Sequence, residues 1–196
     1  MLNTYFCPSN NHYNLFNMRS FTVPHYDEAG AESRSVFDQI KKTAGKLPNL
    51  YATIGYSTNA LTSYIAFMQA QAKGSFHTKD REAIYLIVSQ INECPYCLAA
   101  HTVSALKNGW TEEDTLQIRA GRFPEKKWQV LHAFIKSIIE NRGAAEESRV
   151  DEFFALGYKE AALIDLVALV IIMSFTNYVY RLTKIPIDYP AAKPVS

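Results

Sequence analysis

The residues that could carry chemistry in this chain stand close together, in Cys94-Pro95-Tyr96-Cys97 and, four positions later, His101. Two thiols three residues apart and an imidazole four residues further on fall on one face of an α-helix, because each residue turns the helix by about 100°. These side chains can therefore contact one another. A thiolate formed in such a cluster can attack a peroxide or a disulfide.

Proline suits the first position of a helix, where its missing N–H would have no partner, so Pro95 predicts a helix with Cys94 as N-cap and Cys97 in its first turn. The positive end of the helix dipole then favours the thiolate form of both cysteines. A Cys-x-x-Cys pair in this position, beside an imidazole, can have a thiol pKa lowered from about 8.5 to roughly 3.5–7.5. The dipole alone lowers the pKa of Cys94 at least as much as that of Cys97.

Two other interpretations of the cysteine pair follow from the residues alone. The pair and the two residues between them also resemble the redox motif of glutaredoxins, but that fold needs a strand directly before the motif, and residues 80–92 have the pattern of a helix. A zinc site is the other alternative, because two thiolates and an imidazole supply three of the four ligands of a tetrahedral ion. The candidates for a fourth ligand are Glu93, His77 and His132.

A glutamate twelve residues before the first cysteine completes a longer motif. Glu82, Cys94, Cys97 and His101 form the pattern Glu-x11-Cys-x2-Cys-x3-His. This pattern closely resembles the core motif of the AhpD-like alkylhydroperoxidases of the carboxymuconolactone decarboxylase superfamily. The sequence around it, from about residue 21 to 190, is similar to the peroxidase-related branch of that family. Two stretches that share this similarity are Phe175-Thr176-Asn177-Tyr178 and Ile187-Asp188-Tyr189-Pro190.

The resemblance implies an all-helical, AhpD-like domain that reduces alkyl hydroperoxides. Cys97 would be the peroxidatic cysteine and Cys94 the resolving cysteine, while His101 and Glu82 would form the proton relay. His101 lies one turn beyond Cys97, close enough to take its proton. The resemblance also implies an external thiol or lipoyl-bearing protein as reductant, and a homo-oligomer, either a trimer or a hexamer. We expect no cofactor and no bound metal.

One position departs from the family pattern. Some members have a second histidine directly before the peroxidatic cysteine, where this chain has Tyr96. A phenol with a pKa near 10 cannot act as a base at neutral pH, although it can donate a hydrogen bond. Either weak peroxidase activity or an oxidant other than an alkyl peroxide is therefore expected. The decarboxylase branch lacks the cysteine pair, so the remaining alternatives are a protein disulfide oxidoreductase or redox switch, and a non-catalytic zinc-binding or structural protein.

The elements that must position these residues are predicted to be helices. Apolar residues recur at helical spacing from residue 31 onward, and no run shows sustained alternation of apolar and polar residues. The fold class is therefore all-α, in a single helical bundle. The predicted helices are Ala31–Ala44, Leu50–Tyr56, Asn59–Lys73, Thr78–Asn92, Pro95–Asn108, a short one capped by Thr111 and ending at Ala120, Pro124–Asn141, Arg149–Leu156 and Tyr158–Thr183.

Composition narrows the classes of function. The 196 residues carry 20 Lys and Arg against 19 Asp and Glu, a formal net charge of +1. This balance favours neither a nucleic-acid partner nor a membrane surface. The three cysteines are too few for a secreted disulfide scaffold, so we expect a reducing, cytoplasmic compartment. The first residues do not have the pattern of a signal peptide.

The chain is expected to hold an irregular arm at residues 1–20, a helical domain at 21–190 and a tail at 191–196. Cys7, in the arm, is interpreted as an incidental thiol, and Met18 is an alternative start. The apolar run 166–173 is well short of the ~20 residues that a membrane span needs. A helix that is apolar nearly all round must be covered by its own domain or by another subunit.

Overall fold

The structure is a computed structural model that describes residues 21–195. The predicted irregular arm, with Cys7 and Met18, lies outside the described residues, as does the final residue of the predicted tail.

Residues 21–195 fold into helices joined by short connections, with no strand in that part of the chain. The all-α prediction is confirmed. After a 3₁₀ turn at Tyr26–Glu28, the α-helices are α1 (Ala31–Ala44), α2 (Asn49–Ile54), α3 (Thr58–Gln71), α4 (Thr78–Ile91), α5 (Pro95–Lys107), α6 (Glu112–Arg119), α7 (Lys126–Glu140), α8 (Glu147–Ala155) and α9 (Glu160–Thr183).

Helices with a strong local start signal begin where the sequence predicts. The hydroxyl of Thr111 accepts from the N–H of Asp114, and the Asp114 carboxylate accepts from the N–H of Thr111, forming the predicted capping box of α6. Five other helices start one or two residues away from the prediction: α2 and α3 begin one residue earlier, α8 two residues earlier, and α7 and α9 two residues later. The N-cap side chain of α3, Ser57, accepts from a helix N–H, whereas α2, α7, α8 and α9 have no side-chain cap, so tertiary packing sets where these four begin.

Helix α4 lies at the centre of the bundle and packs against α5, α6, α7 and α9. Eight consecutive residues, 82–89, are buried, which is possible only for a helix covered on every side. Glu82 is one of them, so a carboxylate is carried into the interior at the start of α4. Its position is therefore fixed by the packing of four neighbouring helices.

Helix α9 is the longest element in the described part of the chain, at 24 residues. Its apolar stretch is longer than the run 166–173 considered from the sequence, and among residues 21–195 it is the one helix long and apolar enough to cross a membrane by length and composition. Half of its most apolar 18-residue window is buried inside the protein.

The other side of α9 carries an exposed apolar stripe. Its most exposed members are Leu182 at 78%, Ile164 at 67% and Ile171 at 55%, and Phe67 of α3 lies at its edge. Contiguous apolar surface of this kind is uncommon on a monomer and is typical of a subunit interface. We propose that a second copy of this chain covers the stripe, in agreement with the oligomer expected from the resemblance.

Replacing Ile171 by Glu should break this assembly, because the charge would be buried without a partner in the interface. We expect light scattering to give the wild-type protein at least twice the chain mass of 22.2 kDa, and the Ile171→Glu variant a mass near the monomer. Leu106 of α5 is also an exposed apolar residue but lies outside the stripe, so Leu106→Glu is the matched control and should leave the mass unchanged. A monomeric wild-type protein would contradict the proposal.

Candidate active site

The turn between α4 and α5 places the first cysteine at a helix start. Glu93 has a left-handed backbone with φ 51°, which reverses the chain between the two helices. The N–H of Cys94 donates to the carbonyl of Ser89 at 2.9 Å. From α9, Arg181 donates to the carbonyl of Asn92 at 2.5 Å and forms an ion pair with the Glu93 carboxylate at 3.2 Å. Hydrogen bonds and an ion pair thus hold the turn against α4 and α9.

The predicted positions of the two cysteines are confirmed. Pro95 is the first residue of α5 and Cys94 is its N-cap, whose sulfur accepts from the N–H of Cys97 at 3.4 Å. The two thiols are free and share a hydrogen bond. Cys94 is fully buried and Cys97 is 2% exposed. Neither sulfur therefore presents itself on the outer surface of the domain.

The shared proton divides the charge unevenly between the two sulfurs. The Cys97 thiol donates to Cys94 and, together with the backbone N–H of Cys97, lowers the pKa of Cys94 below the ordinary thiol value, against the opposing effect of burial. The same hydrogen bond, with burial and the negative charge on Cys94, raises the pKa of Cys97 well above that value. The sulfur that ionises first is thus Cys94, and not the one to which the resemblance assigns the attack on peroxide.

Glu82 and His101 meet across α4 and α5. The Nδ1 atom of His101 lies 2.8 Å from Oε2 of Glu82. An ionised carboxylate can only accept, so Nδ1 carries the hydrogen and the Nε2 atom of a neutral ring keeps its lone pair. The imidazole also packs on Tyr85, with ring centroids 5.0 Å apart. This arrangement fixes the ring and leaves one nitrogen available to exchange a proton.

A cavity of about 260 Å³ opens beside α5. Cys97, His101 and Glu82 all contribute to its wall, whereas Cys94 does not. Larger surface depressions of about 540 and 560 Å³ contain none of the four motif residues. The rest of the wall combines mostly small or aliphatic residues with five tyrosines, Tyr51, Tyr64, Tyr85, Tyr96 and Tyr189. A small molecule in this cavity would meet the sulfur of Cys97 and not that of Cys94.

Sequence reasoning missed two polar residues of α9 that hold the cysteines. The Cys97 thiol lies 3.8 Å from the hydroxyl of Thr176, which itself donates to the carbonyl of Met173. Asn177, fully buried, donates to sulfur and lowers the pKa of both cysteines. A polar pair inside an otherwise apolar helix is the signal that could have identified them, because buried polar groups need partners.

Tyr96, at the position where some family members have a second histidine, is hydrogen-bonded to residues outside the motif. Its hydroxyl donates to the Asp188 carboxylate at 2.5 Å and accepts from the N–H of Leu50 at 3.1 Å. Burial and that carboxylate raise the pKa of Tyr96 well above its ordinary value. The phenol is therefore neutral and fully hydrogen-bonded.

The metal-binding alternative gains no support from the geometry. Within residues 21–195 there is no group of three or more His, Cys, Asp or Glu side chains arranged to hold a metal ion. The thiols and the imidazole thus do not form the zinc cluster considered from the sequence.

Solved structures with the same fold share little sequence with this chain. A peroxidase-related protein from Ralstonia eutropha JMP134, with an alkylhydroperoxidase AhpD core, has a TM-score of 0.74 at 17% identity, over 82% of this chain and 87% of that one. A peroxidase-related protein from Silicibacter sp. TM1040 has 0.69 at 20% identity, over 86% and 89%. A cysteine-to-alanine variant of the debrominase Bmp8, in complex with 2,3,4-tribromopyrrole, has 0.72 at 20% identity, over 85% and 90%.

The sequence comparison agrees with this fold. Residues 59–135, which contain all four motif residues, match the profile of the carboxymuconolactone decarboxylase family. This match, which covers less than half of the chain, and the shared fold make the chain similar to the AhpD-like carboxymuconolactone decarboxylase superfamily. A comparison with curated protein sequences gives no match. Thr176, Asn177 and Asp188 lie outside the stretch that matches the carboxymuconolactone decarboxylase profile. The match therefore does not cover the contacts that these three residues make with the α5 region.

The two thiols should ionise in two well-separated steps. In a Cys7→Ser background, the ultraviolet absorbance of the thiolate should first rise at a pH below the ordinary thiol pKa of about 8.5 and rise again well above it. Cys97→Ala removes a donor to Cys94, so it should raise the pKa of the first step. Cys94→Ala should remove the first step. If that step instead survived Cys94→Ala and disappeared in Cys97→Ala, the low-pKa thiol would be Cys97.

Proposed function

We propose that this chain is a thiol-dependent peroxidase that reduces small hydroperoxides through a cycle between the Cys94/Cys97 dithiol and its disulfide. The observation that carries the proposal is the cavity: only one of the two sulfurs, that of Cys97, lines it, next to the His101–Glu82 pair. Cys94 lies behind it, fully buried. In this proposal the sulfur of Cys97 reacts with the substrate, and the sulfur of Cys94 reacts with that of Cys97.

The first half of the cycle uses the hydrogen bond between the sulfurs. In the reduced protein Cys94 is the thiolate, and Nε2 of His101, whose Nδ1 is held by the Glu82 carboxylate, relays the proton that Cys94 has released. As Cys97 attacks the terminal oxygen of the hydroperoxide, its proton passes to Cys94. The sulfur–oxygen bond forms, the oxygen–oxygen bond breaks, and His101 protonates the departing alkoxide, which leaves an alcohol and a sulfenic acid on Cys97.

The second half closes the disulfide. Cys94 attacks the sulfur of the sulfenic acid on Cys97, and the proton of its thiol leaves with the hydroxide as water. Two thiols and one hydroperoxide therefore give one disulfide, one alcohol and one water. An external dithiol must then reopen the disulfide by exchange. Because both sulfurs are buried, we expect a slender donor such as a lipoyl arm to reach the sulfur of Cys97 through the cavity.

The same burial argues against the alternative of a protein disulfide oxidoreductase. That activity needs a sulfur that a folded partner protein can approach, and here Cys94 is fully buried and Cys97 is 2% exposed. A redox switch acting on a protein partner would need the same access. A small oxidant needs only the cavity at Cys97.

Stopped-flow measurement of thiol loss with cumene hydroperoxide tests the residue roles. Cys97→Ser should abolish the reaction, whereas Cys94→Ser should react once and leave a sulfenic acid that dimedone traps. His101→Asn should slow the first step by about 100-fold or more, because it removes the proton carrier. His77→Asn, which replaces an exposed histidine outside the cavity, is the matched control and should keep the wild-type rate. Full peroxide consumption by Cys97→Ser would show that the role assigned to Cys97 is wrong.

A second candidate function is reductive dehalogenation of a halogenated aromatic compound. The observation that favours it is the tyrosine-rich wall of the cavity at Cys97, which suits a flat ring. Bmp8, a debrominase, has the same fold. The electron balance is also met: two thiols become a disulfide, a carbon–halogen bond becomes a carbon–hydrogen bond, and a halide and a proton leave.

Bromide release distinguishes the two candidates. The reduced protein would be incubated with tri- and tetrabrominated pyrroles, and bromide would be measured together with thiol loss. If dehalogenation is the function, we expect about one bromide for each disulfide formed, and none from Cys97→Ser because it lacks the sulfur at the cavity. Peroxide-driven thiol loss without bromide release would leave the peroxidase as the function.

A further inference from the structure

The chain that follows α9 is bound to the domain at two points, the first of them at Tyr96 in the cavity wall. This C-terminal segment, residues 184–195, is non-helical. Near its start, Asp188 is bound by Tyr96, by Lys46 at 3.0 Å and by the N–H of Asn49 at 3.4 Å. Near its end, the buried Arg119 donates to the carbonyl of Lys193 at 2.8 Å. The ring of Tyr189 lies between these points and forms part of the cavity wall.

Tyr96 is the hydrogen-bonding centre of the first attachment. Its hydroxyl joins three elements, because it lies in α5, donates to Asp188 in the C-terminal segment and accepts from the N–H of Leu50 in α2. Its ring meets the edge of the Tyr189 ring, with centroids 5.8 Å apart and an interplanar angle of 84°. The residue that replaces the second histidine thus holds a wall of the cavity in place.

The chemistry of the wall indicates the kind of molecule that fits. Five tyrosines surround the cavity, and among the described residues that line it there is no Lys or Arg. Its charged groups, Glu82 and His101, are bound to each other. The nearby cation, Lys46, is engaged with Asp188 and stacks on the ring of Tyr189 at 3.8 Å. An anionic substrate would find no partner, whereas an uncharged aromatic ring can pack against the tyrosines.

We propose that this cavity selects small, uncharged hydroperoxides that carry an aromatic ring, and that the hydrogen bond between Tyr96 and Asp188 sets this selectivity by holding Tyr189 in the wall. The proposal rests on the peroxidase function proposed above and names its substrate class. The cavity volume of about 260 Å³ agrees with a compact substrate, since it is below the roughly 300–1,000 Å³ typical of sites for drug-sized ligands.

Stopped-flow thiol loss with three oxidants tests the selectivity. Cumene hydroperoxide is uncharged and aromatic, hydrogen peroxide is small and uncharged, and linoleic acid hydroperoxide is anionic. We expect cumene hydroperoxide to react at least about tenfold faster than either of the others, the size of discrimination that apolar contacts supply. Equal rates with all three oxidants would overturn the proposal.

Substitutions in the cavity wall identify the residues that set the selectivity. Tyr189→Ala should lower the ratio of the cumene hydroperoxide rate to the hydrogen peroxide rate by about three- to tenfold, because it removes an aromatic contact. Tyr96→Phe and Asp188→Ala should lower the same ratio, since each removes the hydrogen bond that positions Tyr189. Tyr180→Phe is the matched control: its ring also contacts Tyr96 but does not line the cavity, so the ratio should not change. A ratio unchanged in both Tyr189→Ala and Tyr96→Phe would overturn the proposal.

A binding measurement separates this proposal from the peroxidase function. Calorimetric titration of the oxidised protein with 2-phenyl-2-propanol, the product alcohol of cumene hydroperoxide, measures binding in the cavity when no reaction can occur. Binding that weakens in Tyr189→Ala and Tyr189→Leu supports the aromatic selectivity even if no peroxide consumes the thiols, in which case the peroxidase function alone fails. Absence of binding to the wild-type protein overturns the selectivity. Far-ultraviolet circular dichroism checks that each variant is folded.

Discussion

Two buried sulfur atoms that share one proton are the constraint on which this structure depends. A buried thiolate is costly unless fixed donors replace the water it has lost. Here the donors come from three directions: the Cys97 thiol, the backbone N–H at the start of α5, and the Asn177 amide of α9. The amide is itself oriented by Asn92 and Ser89 at 3.0 and 3.3 Å. The α4–α5 turn and α9 must therefore pack as one unit for the charge to be stabilised.

The cysteine with the lowered pKa is not the cysteine that lines the cavity. Cys94, at the N-cap, receives the donors and has the lowered pKa, but it does not reach the cavity. Cys97 reaches the cavity, but burial and its neighbour's charge raise its pKa. A hydrogen bond between the sulfurs connects the two properties, because a short proton transfer moves the charge to the sulfur that meets the substrate. In this arrangement neither cysteine has to combine a low pKa with exposure, which limits unwanted oxidation of the resting pair.

The sequence was sufficient for the features that depend on local spacing. Pro95 fixed the start of α5, Thr111 and Asp114 fixed that of α6, and the motif spacing brought Glu82 and His101 within 2.8 Å. It was insufficient for contacts made across long separations. The bond between Tyr96 and Asp188 joins residues 92 positions apart, and the contact of Cys97 with Thr176 joins residues 79 apart. No periodicity encodes such pairs, because they depend on how α9 and the segment after it pack on α5.

The same long-range contacts change what Tyr96 means for the chemistry. From the sequence, a tyrosine in place of the second histidine indicates a weakened proton relay. In the structure its hydroxyl is occupied by Asp188 and Leu50, so it neither donates to the sulfurs nor competes for their proton. The proposed cycle does not need a second base at that position, because Cys94 itself accepts the proton that Cys97 loses on attack. One imidazole then suffices, since it has only the leaving alkoxide to protonate. The position is thereby free to hold the wall of the cavity, which the phenol does through one oxygen that donates to Asp188 and accepts from the N–H of Leu50.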